Sequence, residues 1–497
     1  MEIGKVATKK LNTMKKIFIL SSLLTICIFT NAAEQSKSSF QKEFESFRTD
    51  AQKKHTQFND SINTVFSVYL SKSWEEFKLQ KPIMMQQKPL PVEETIYVPE
   101  KRVSPTKSLL IDTVITLEET KKTTKTKEIT DKAGSESIYK EPIRFFFYGT
   151  PIELRKFKGF EANFPNITEK TVANYWLQLS QSPYLEFIND IMILKEDMFL
   201  NDWAIYQLIL KIAESYFPEK ATNEKNVFTV FMLGQIGYKA KIGRMNKQLI
   251  PLISFQTEIY GKYFISLPDG KYYVLIEQSI FPSSVFSYEL NYNNAIVGIS
   301  LATTRPIRVA FNSKIWNTSL KGKEYKIDYN MNLMDFYSTY PQTKLQVYAD
   351  NPISGVTRKS LEQHLLPELK GKGEREAVSF LLNFTQTAFK YKMDIEQFGK
   401  EKYFFAEELF HYPFSDCEDR VVLFSQLVRR FLGLKVVLLD YPDHVASAVN
   451  FSETVDGDFV NIENEKYYVC DPSYIGAPIG ISIPRFKKMK ARILILN

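Results

Sequence analysis

Residues that bind metals and phosphates are scarce in this chain. Its 497 residues include 4 histidines and 3 cysteines, which are scattered, so a zinc site is not expected. There is no glycine-rich loop of the kind that cradles phosphate. The net charge is +7, and the basic residues do not form a stripe with interleaved aromatic residues, which argues against nucleic-acid binding. The apolar run over residues 17–29 is too short to span a bilayer. We therefore expect no metal, no cofactor, no nucleic-acid partner and no membrane span in the mature chain.

The remaining composition is that of a globular protein. Hydrophobic residues make up 44% of the chain and charged residues 24%. The aromatic share of 14%, with 38 Phe and 27 Tyr, fits β-rich cores. A chain of 497 residues is too long for one ordinary domain, so roughly two to four domains are expected.

The first 33 residues have the organisation of a secretory signal peptide. Lys15 and Lys16 precede the apolar run, and residues 30–32 offer small side chains for cleavage. Met14 is an alternative start, because MKKIFIL is a more typical signal opening than the residues before it. Cys27 lies inside the apolar run and would be removed with it. The sequence thus predicts an exported protein, periplasmic or extracellular, with an uncleaved anchor helix as the weaker alternative.

The stretch around Cys417 is the most informative part of the chain. Ser415 and Glu418 have the spacing of a capping box with Ser415 as the N-cap, and the apolar residues that follow recur at helical spacing until Gly433. Cys417 is therefore expected in the first turn of a buried helix, where unpaired N–H groups and the helix dipole favour a thiolate. Acidic neighbours such as Glu418 oppose this effect, because nearby anions raise a thiol pKa. An imidazolium would have to outweigh them.

Two predicted strands after this helix carry further reactive side chains. His444 opens a strand that follows a loop containing Pro442. It shares a face with Ala446 and Ala448, whose small side chains would leave room for the end of the helix. Asp471 closes the next strand, immediately before a proline. A carboxylate in that position can accept the second imidazole N–H, fix the tautomer and stabilise the charged ring.

This ordered cysteine, histidine and aspartate, with Asp-Pro-Ser closing the last strand, resembles the transglutaminase-like cysteine peptidase superfamily, of a bacterial exported type. The resemblance covers about the last quarter of the chain. It implies a papain-like core in an α+β fold, in which a helix packs on an antiparallel sheet. It also implies a Cys417 nucleophile, a His444 base and an Asp471 that orients the base. Hydrolysis and acyl transfer both remain open.

Other residues near the helix are candidates for supporting roles. His411 and Tyr412 lie just before it and could wall the cleft and donate to an oxyanion beside the Cys417 N–H, or their rings could simply pack. Cys470 adjoins Asp471 on one strand, so its side chain points to the opposite face. Although export favours disulfides, we therefore expect Cys470 in the core and Cys417 as a free thiol.

The rest of the chain divides into segments of different character. We expect a strand within the linker over residues 109–117, and several strands in the β module, including 295–301 and 344–348. The N-terminal segment carries a helical pattern of apolar residues that reaches residue 77. The predicted segments are a signal peptide 1–33, an N-terminal helical segment 34–80, a linker 81–142, a degenerate transglutaminase-like domain 143–280, a β module 281–355 and a catalytic domain 356–497.

The degenerate domain is inferred from a sequence match. KYYV at residues 271–274 matches KYYV at residues 466–469, and a helical run that ends at Gly237 parallels the run that ends at Gly433. The alternative is coincidence, because KYYV is an ordinary strand sequence. Extending the match pairs each reactive residue with one that lacks its chemistry: Cys417 with Thr222, His444 with Leu249 and Asp471 with Ile276.

Together these features predict an exported cysteine hydrolase, a peptidase or amidase, that acts through a thioester on peptide or protein substrates, possible targets being amides of the cell envelope. Hydrolysis is the first choice because it needs only an accessible thioester, whereas a protein-crosslinking transglutaminase needs a second binding site. The rival of another class is a non-catalytic protein on the same fold that binds a peptide or assembles an envelope complex. The cysteine, the histidine and the aspartate are all present in the last domain and all absent from the predicted degenerate domain, which favours the interpretation as an enzyme.

Overall fold

The chain is a mixed α+β protein with helices and sheets in both halves. Residues Ile62–Asn497 form one compact unit, and Met1–Ser61 form another. The predicted signal peptide, nearly half of the N-terminal helical segment and most of the linker lie outside the described residues. Within the part of the chain that is described, no helix combines the length and the apolar character needed to cross a membrane. The computed structural model describes residues 54, 57–86, 88, 97, 108–116, 139–277 and 280–497.

The strands, in chain order, are β1 (Glu75–Lys78), β2 (Leu110–Thr116), β3 (Tyr139–Phe147), β4 (Thr150–Phe157), β5 (Ala240–Met245), β6 (Gln248–Ser254), β7 (Phe264–Leu267), β8 (Gly270–Val274), β9 (Ser284–Ser287), β10 (Ser313–Leu320), β11 (Lys323–Asn330), β12 (Lys390–Tyr391), β13 (Phe414–Ser415), β14 (Val436–Tyr441), β15 (His444–Asn450), β16 (Phe459–Ile462), β17 (Glu465–Cys470) and β18 (Lys490–Ile495). The strand predicted over residues 109–117 is thus confirmed as β2.

Residues 62–70 are helical. The α-helices that follow are α1 (Glu169–Ser180), α2 (Tyr184–Met198), α3 (Asp202–Tyr216), α4 (Thr222–Ile236), α5 (Met331–Ser338), α6 (Leu345–Asp350), α7 (Gly355–Leu369), α8 (Glu374–Ala388), α9 (Asp394–Phe398) and α10 (Cys417–Leu432). Two short 3₁₀ helices span Ala406–Phe410 and Pro484–Lys488.

Two six-stranded sheets share one order of corresponding strands. The first has the order β1-β9-β5-β6-β8-β7, and the second, read from its outer edge, has the order β2-β18-β14-β15-β17-β16. Before each sheet a helix, α4 or α10, ends at a glycine with positive φ, Gly237 at 116° and Gly433 at 69°. The edges differ, because β1 runs antiparallel to β9 whereas β2 runs parallel to β18. The two halves therefore have a common topology, while their origin by duplication stays a prediction.

The hairpin registers correct one predicted correspondence. Met245 pairs with Gln248 at the β5–β6 turn, just as Tyr441 pairs with His444 at the β14–β15 turn. Gln248, rather than the predicted Leu249, therefore holds the place of His444. The connection to the KYYV strand is one residue longer in the first half, and a shift of one residue moves a side chain to the other face of a strand. A glutamine amide cannot serve as a base either, so the first half lacks this chemistry in either register.

Three sequence-based element predictions are wrong. The N-terminal helix does not reach residue 77, because Glu75–Lys78 adds to the edge of the first sheet as β1. Residues 345–348 are helical, as part of α6, and Lys344 is the N-cap of that helix. Residues 295–301 make only isolated bridges at Val297 and Ile299 instead of a ladder. The first strand of the predicted β module, β9, belongs to the first sheet. Short apolar runs are compatible with strand, helix or loop, and tertiary packing decided these cases.

The faces of the second sheet pack against different elements. Val445 and Val449 lie in one hydrophobic cluster with α10. Ala446 and Ala448 lie in another cluster with Phe486, from the 3₁₀ helix Pro484–Lys488. The helix that carries Cys417 therefore packs on the valine face, and the prediction that the alanines make room for it is wrong. Valine side chains bury more apolar area against a helix than alanines do, which favours this arrangement.

Candidate active site around Cys417

Helix α10 begins at Cys417, as predicted, but its cap lies one residue later than expected. Asp416 is the N-cap, and its backbone N–H donates to Asp419 Oδ2 at 3.3 Å. The predicted cap Ser415 lies instead in β13. Aspartate and serine cap helices about equally well, so the sequence alone did not separate the two registers. With the cap formed by the two aspartates, the Glu418 side chain is available to the neighbouring thiol.

His444 and Asp471 form the central pair of the site. Nε2 of His444 and Oδ2 of Asp471 are 2.8 Å apart, and the two side chains are 6% and 2% exposed. Asp471 Oδ1 accepts from the Ser473 hydroxyl at 2.7 Å and from its backbone N–H at 3.0 Å. Burial alone would raise the pKa of Asp471, but the charge of His444 and the hydrogen bonds from His444 and Ser473 outweigh it and lower that pKa. The carboxylate is therefore held ionised and oriented, as the sequence predicted.

Gln386 on α8 fixes the loop that contains Asp471. Its Nε2 donates to the carbonyl oxygens of Asp471, Tyr474 and Ala477 at 3.1, 2.9 and 3.0 Å. Its Oε1 accepts from the Gly476 N–H at 3.3 Å. Gln386 is 2% exposed, so one buried amide ties together a loop in which the Tyr474 N–H also donates to the Asp471 carbonyl and the Ala477 N–H to the Tyr474 carbonyl. The sequence analysis did not find this residue, because its partners lie about a hundred residues away along the chain.

Phe486 holds the imidazole from the other side. The rings of His444 and Phe486 are stacked, with centroids 4.8 Å apart and planes 8° from parallel. Phe486 also stacks on Tyr441 at 4.6 Å, so the histidine ring is part of a packed aromatic column. Because Nε2 is bound to Asp471 and one face is covered, Nδ1 is the ring nitrogen left for another partner.

Cys417 is fully buried, and its sulfur has acidic surroundings. Sγ donates to Glu418 Oε2 at 2.8 Å, and a backbone hydrogen bond joins the sulfur to Val445, the residue after His444. Among the described residues, no hydrogen bond joins Sγ to the His444 ring. Burial raises the pKa of Cys417 well above its usual range, the charges of Glu418 and Asp416 raise that pKa further, and the Val445 N–H lowers it only in part. In this conformation Cys417 is a protonated thiol on the Val445 face of β15, whereas the His444 ring stacks on Phe486 on the Ala446 face, so the thiol is not joined to the His444–Asp471 pair.

The two candidate oxyanion donors pack elsewhere. His411 Nδ1 lies 3.4 Å from the Tyr329 hydroxyl. The ring of Tyr412 packs on Phe404 at 4.8 Å, and the Lys402 ammonium lies 4.6 Å from its centroid. In the part of the chain that the structure describes, neither side chain makes a hydrogen bond to Cys417, His444 or Asp471. The alternative that both rings simply pack is the one that agrees with these contacts.

Cys470 has the position that strand alternation predicted. It is fully buried in the hydrophobic cluster that includes α10, and both Cys417 and Cys470 are free of disulfides. Its backbone carbonyl accepts from the Ser447 hydroxyl on the neighbouring strand. Cys470 is therefore a small core residue.

Acidic side chains converge on the start of α10. The ligand atoms of Asp394, Asp416 and Asp419 lie within 4.8 Å of one another, as do those of Asp394, Glu401 and Glu418. Burial, together with the charge of Glu418, raises the pKa of Asp394 to about 8 and that of Glu401 to about 7. These oxygens are of the type that hard divalent cations prefer. The sequence analysis, which found only scattered histidines and cysteines, missed this group of acids because they come from three separated stretches of the chain.

Lys88, from the predicted linker, also reaches this region. Its side chain is 2% exposed, and its ammonium forms an ion pair with Asp440 at the end of β14. Burial lowers the pKa of Lys88 to about 8, although the charges of Glu418 and Cys417 act in the opposite direction. Nothing in the sequence around a single linker lysine signals this placement.

The comparisons with known proteins add no assignment. No protein-family model, no curated protein and no solved structure matches the chain. The site therefore has to be interpreted from its own geometry.

Proposed function

We propose that this chain is a thiol-dependent acyl hydrolase, a peptidase or amidase of transglutaminase-like, papain-like type, in which Cys417, His444 and Asp471 do the chemistry. The observation that carries the proposal is the buried pair of His444 Nε2 and Asp471 Oδ2, 2.8 Å apart, whose neighbour Val445 forms a backbone hydrogen bond to the sulfur of a cysteine that begins a helix. A buried carboxylate that orients a histidine next to a nucleophile is the arrangement that acyl-transfer enzymes use.

Each residue has a defined role in the proposed reaction. Nδ1 of His444 takes the proton of the Cys417 thiol, and the thiolate sulfur forms a bond to the substrate carbonyl carbon. The C–N bond of the amide breaks, and the imidazolium gives its proton to the leaving amine. Water then attacks the thioester, His444 accepts a proton from that water, and the carboxylic acid and the free thiol are released. Asp471 keeps Nε2 protonated and stabilises the imidazolium throughout.

The conformation described here is a resting form of that site. The thiol is bound to Glu418 at 2.8 Å, so its side chain has to rotate before Sγ can meet His444 Nδ1. Once the imidazolium forms, its charge opposes the anions that raise the pKa of Cys417. Because the His444 ring lies on the opposite face of β15 from α10, this step also needs a local shift of the first residues of the strand or of the helix, a motion slower than a side-chain rotation.

The location and the acceptor follow from the sequence rather than from the site. A basic segment followed by an apolar run at residues 15–29 supports export to the periplasm or beyond, where peptide and cell-envelope amides are substrates. Water is the proposed acceptor, because it needs no second binding site. A lysine amine as acceptor would make the same chemistry a protein crosslinker.

The second candidate is a binding or assembly protein on the same fold. The observation in its favour is the buried thiol, whose pKa burial and the neighbouring acids raise well above its usual range. A thiol that never meets His444 would be structural, and the His444–Asp471 pair would then serve only to hold two strands together.

Acylation of Cys417 by a small activated ester separates these candidates. p-Nitrophenyl acetate would transfer its acetyl group to the sulfur with release of p-nitrophenolate, and peptide mass spectrometry would locate the acetyl group. We expect His444→Ala to lower the acetylation rate of Cys417 about 100-fold or more, because a positioned base contributes at least that much. His364→Ala, on α7 and outside the site, is the matched control. Equal rates in the wild type and His444→Ala would reject the enzyme and leave the binding protein.

A further inference from the structure

Lys88 is seated in a pocket of carboxylates beside the thiol. Its ammonium pairs with Asp440, and its backbone N–H forms a hydrogen bond to Glu401. The charges of Glu418 and Asp443 act on the same ammonium. These four acids come from a loop, the first turn of α10, the end of β14 and the turn before His444, so they surround Lys88 from separate elements.

The residues before Lys88 lead the chain across the site. The Ile83 carbonyl accepts from the Gly261 N–H at 2.9 Å, and the Gln86 side-chain amide donates to the Pro442 carbonyl, in the turn that precedes His444. Cys417, His444 and Asp471 are all buried while these contacts are made. The turn before His444 thus contacts this segment through Gln86, and the charge of Glu418, next to Cys417, acts on the Lys88 ammonium.

The pocket offers more acceptors than Lys88 uses. In the described part of the chain, Glu401 Oε2, Glu418 Oε1 and Asp443 Oδ1 have no hydrogen-bond partner, and Glu418 is 0% exposed. Arg485 and Arg492 pair with Asp443 and Asp440, but their own side chains are 41% and 49% exposed. A fully buried carboxylate oxygen without a donor is costly, and a larger or better placed cationic group would satisfy it.

We infer that this pocket of Glu401, Glu418, Asp440 and Asp443 is the subsite for a basic side chain of the substrate, and that Lys88 occupies it in the resting protein. The inference rests on the proposed function, since it assigns the side chain next to the amide that Cys417 attacks. Lys88 is then an intramolecular substitute for a substrate lysine or arginine. A substrate competes with it for the acids, and its departure opens the space that Cys417 needs to turn towards His444.

The inference explains two features together. A lysine placed there only for stability would be expected to satisfy its acids, yet several of their oxygens remain unpartnered. The same ammonium also acts electrostatically on Cys417, a thiol that is fully buried although the proposed reaction needs it to be accessible. An occupant that leaves when a stronger cation arrives accounts for both.

Thiosulfonate reagents of opposite charge test the pocket directly. Each forms a mixed disulfide with the thiolate and releases a sulfinate, so labelling requires access to Cys417 but not catalysis. The rates of aminoethyl (cationic) and sulfonatoethyl (anionic) methanethiosulfonate would be compared in the full-length wild type, Lys88→Met and Lys88→Arg, with Cys417→Ser giving the background from Cys470. Lys88→Met removes the charge and keeps most of the chain length, whereas Lys88→Arg keeps the charge.

In Lys88→Met we expect faster labelling than in the wild type and a cationic-to-anionic rate ratio at least about tenfold higher, because a cleft lined by one sign of charge concentrates counter-ions. Glu401→Gln added to Lys88→Met should reduce that ratio, and Lys88→Arg should behave like the wild type. A ratio in folded Lys88→Met no higher than in the wild type would overturn the subsite. Failure of the proposed function would give a different result. Thiosulfonate labelling of Lys88→Met would still prefer the cationic reagent, but the acetylation rate of Cys417 would not depend on His444.

A second variant keeps the test valid if Lys88→Met does not fold. Gln86→Ala removes the hydrogen bond to the Pro442 carbonyl and leaves every charge in place. The segment should then leave the pocket more often, so labelling by the cationic reagent should rise more than labelling by the anionic one. Equal increases for both reagents would mean that the segment covers the thiol without any charge-selective pocket beneath it, and would reject the inference.

Discussion

His444 and Phe486 stack face to face, with centroids 4.8 Å apart and planes 8° from parallel. The stack limits rotation of the imidazole, and with Nε2 bound to Asp471 it determines where Nδ1 points. Phe486 comes from the 3₁₀ helix near the C-terminus, far from His444 in sequence. The orientation of the proposed base therefore depends on a residue that takes no part in proton transfer.

Replacement of Phe486 should separate packing from orientation. Phe486→Ala leaves a cavity in a site that is 2% exposed and should cost about 3–5 kcal/mol of unfolding free energy. Phe486→Leu retains most of the volume but loses the flat surface, so it should restore most of the stability while Cys417 acetylation stays slow. Urea unfolding and the acetylation rate would be measured on both variants. Phe459→Leu, in β16 of the second sheet, is the control, and wild-type acetylation in Phe486→Leu would contradict an orienting role.

Gln386 should position Asp471 through the backbone alone. Gln386→Met keeps the shape but removes the side-chain donor to the carbonyls of Asp471, Tyr474 and Ala477, of which the first two retain a backbone N–H, and the loss should cost about 1–3 kcal/mol in urea unfolding. The acetylation rate should fall as well, because the carboxylate would no longer be fixed against His444. Thr387→Val, the exposed neighbour on α8, should change neither quantity. Unchanged acetylation in a destabilised Gln386→Met would show that the amide only supports the fold.

Glu418 should control the ionisation of the resting thiol. Burial is the largest cause of the raised pKa of Cys417 and the charge of Glu418 is the next, so Glu418→Gln should lower that pKa. The rate of alkylation by iodoacetamide should then begin to rise at a lower pH than in the wild type. Glu407→Gln, another buried carboxylate, which accepts from Ser354 and Thr357, is the matched control. Overlapping pH profiles for the wild type and Glu418→Gln would contradict the role given to this charge.

The buried acids should make the fold less stable as the pH rises. Burial and the charge of Glu418 raise the pKa of Asp394 to about 8. Between pH values of about 4 and about 8, the folded chain therefore holds a proton on Asp394 that the unfolded chain has released. A folded state that binds more protons than the unfolded state loses stability with increasing pH, by up to about 1.4 kcal/mol per pH unit for each proton. Urea unfolding at a series of pH values across this range should show the decline, and Asp394→Asn should reduce its slope. An exposed acid, Glu324→Gln, should leave the slope as it is, and a rise of stability with pH would contradict the assignment.

Local signals were enough to predict the elements that carry the proposed triad. A capping residue, a helical repeat and a glycine bounded the Cys417 helix, and proline next to each strand end bounded β15 and β17. The prediction that Cys470 lies in the core is confirmed. It depended on the alternation of side chains along a strand, whose period of two residues is fixed by backbone geometry. The prediction of which face of β15 the Cys417 helix covers is wrong. Ala446 and Ala448 were taken as a sign of space for the helix, but the larger Val445 and Val449 make the contact with it.

Features that depend on distant segments were outside the reach of the sequence. Gln386, Phe486 and Lys88 carry no motif, and each acts on residues that only the tertiary fold brings near. The convergence of Asp394 and Glu401 on Glu418 belongs to the same category. The error of one residue at Gln248 arose in a connection whose length changed between the two halves, and no local pattern records such a change.

The complete burial of Cys417 also bears on the durability of the protein. Peroxide and molecular oxygen attack thiolates that they can touch, and susceptibility to sulfenic acid formation follows exposure and thiolate character. Cys417 has neither, because it is fully buried and its thiol donates to Glu418, and in the proposed resting form the segment of Gln86 and Lys88 also shields it. The purified chain should therefore tolerate storage in air without a reducing agent, and a variant in which that segment is loosened should age faster, with its sulfur as the first atom to be lost to oxidation.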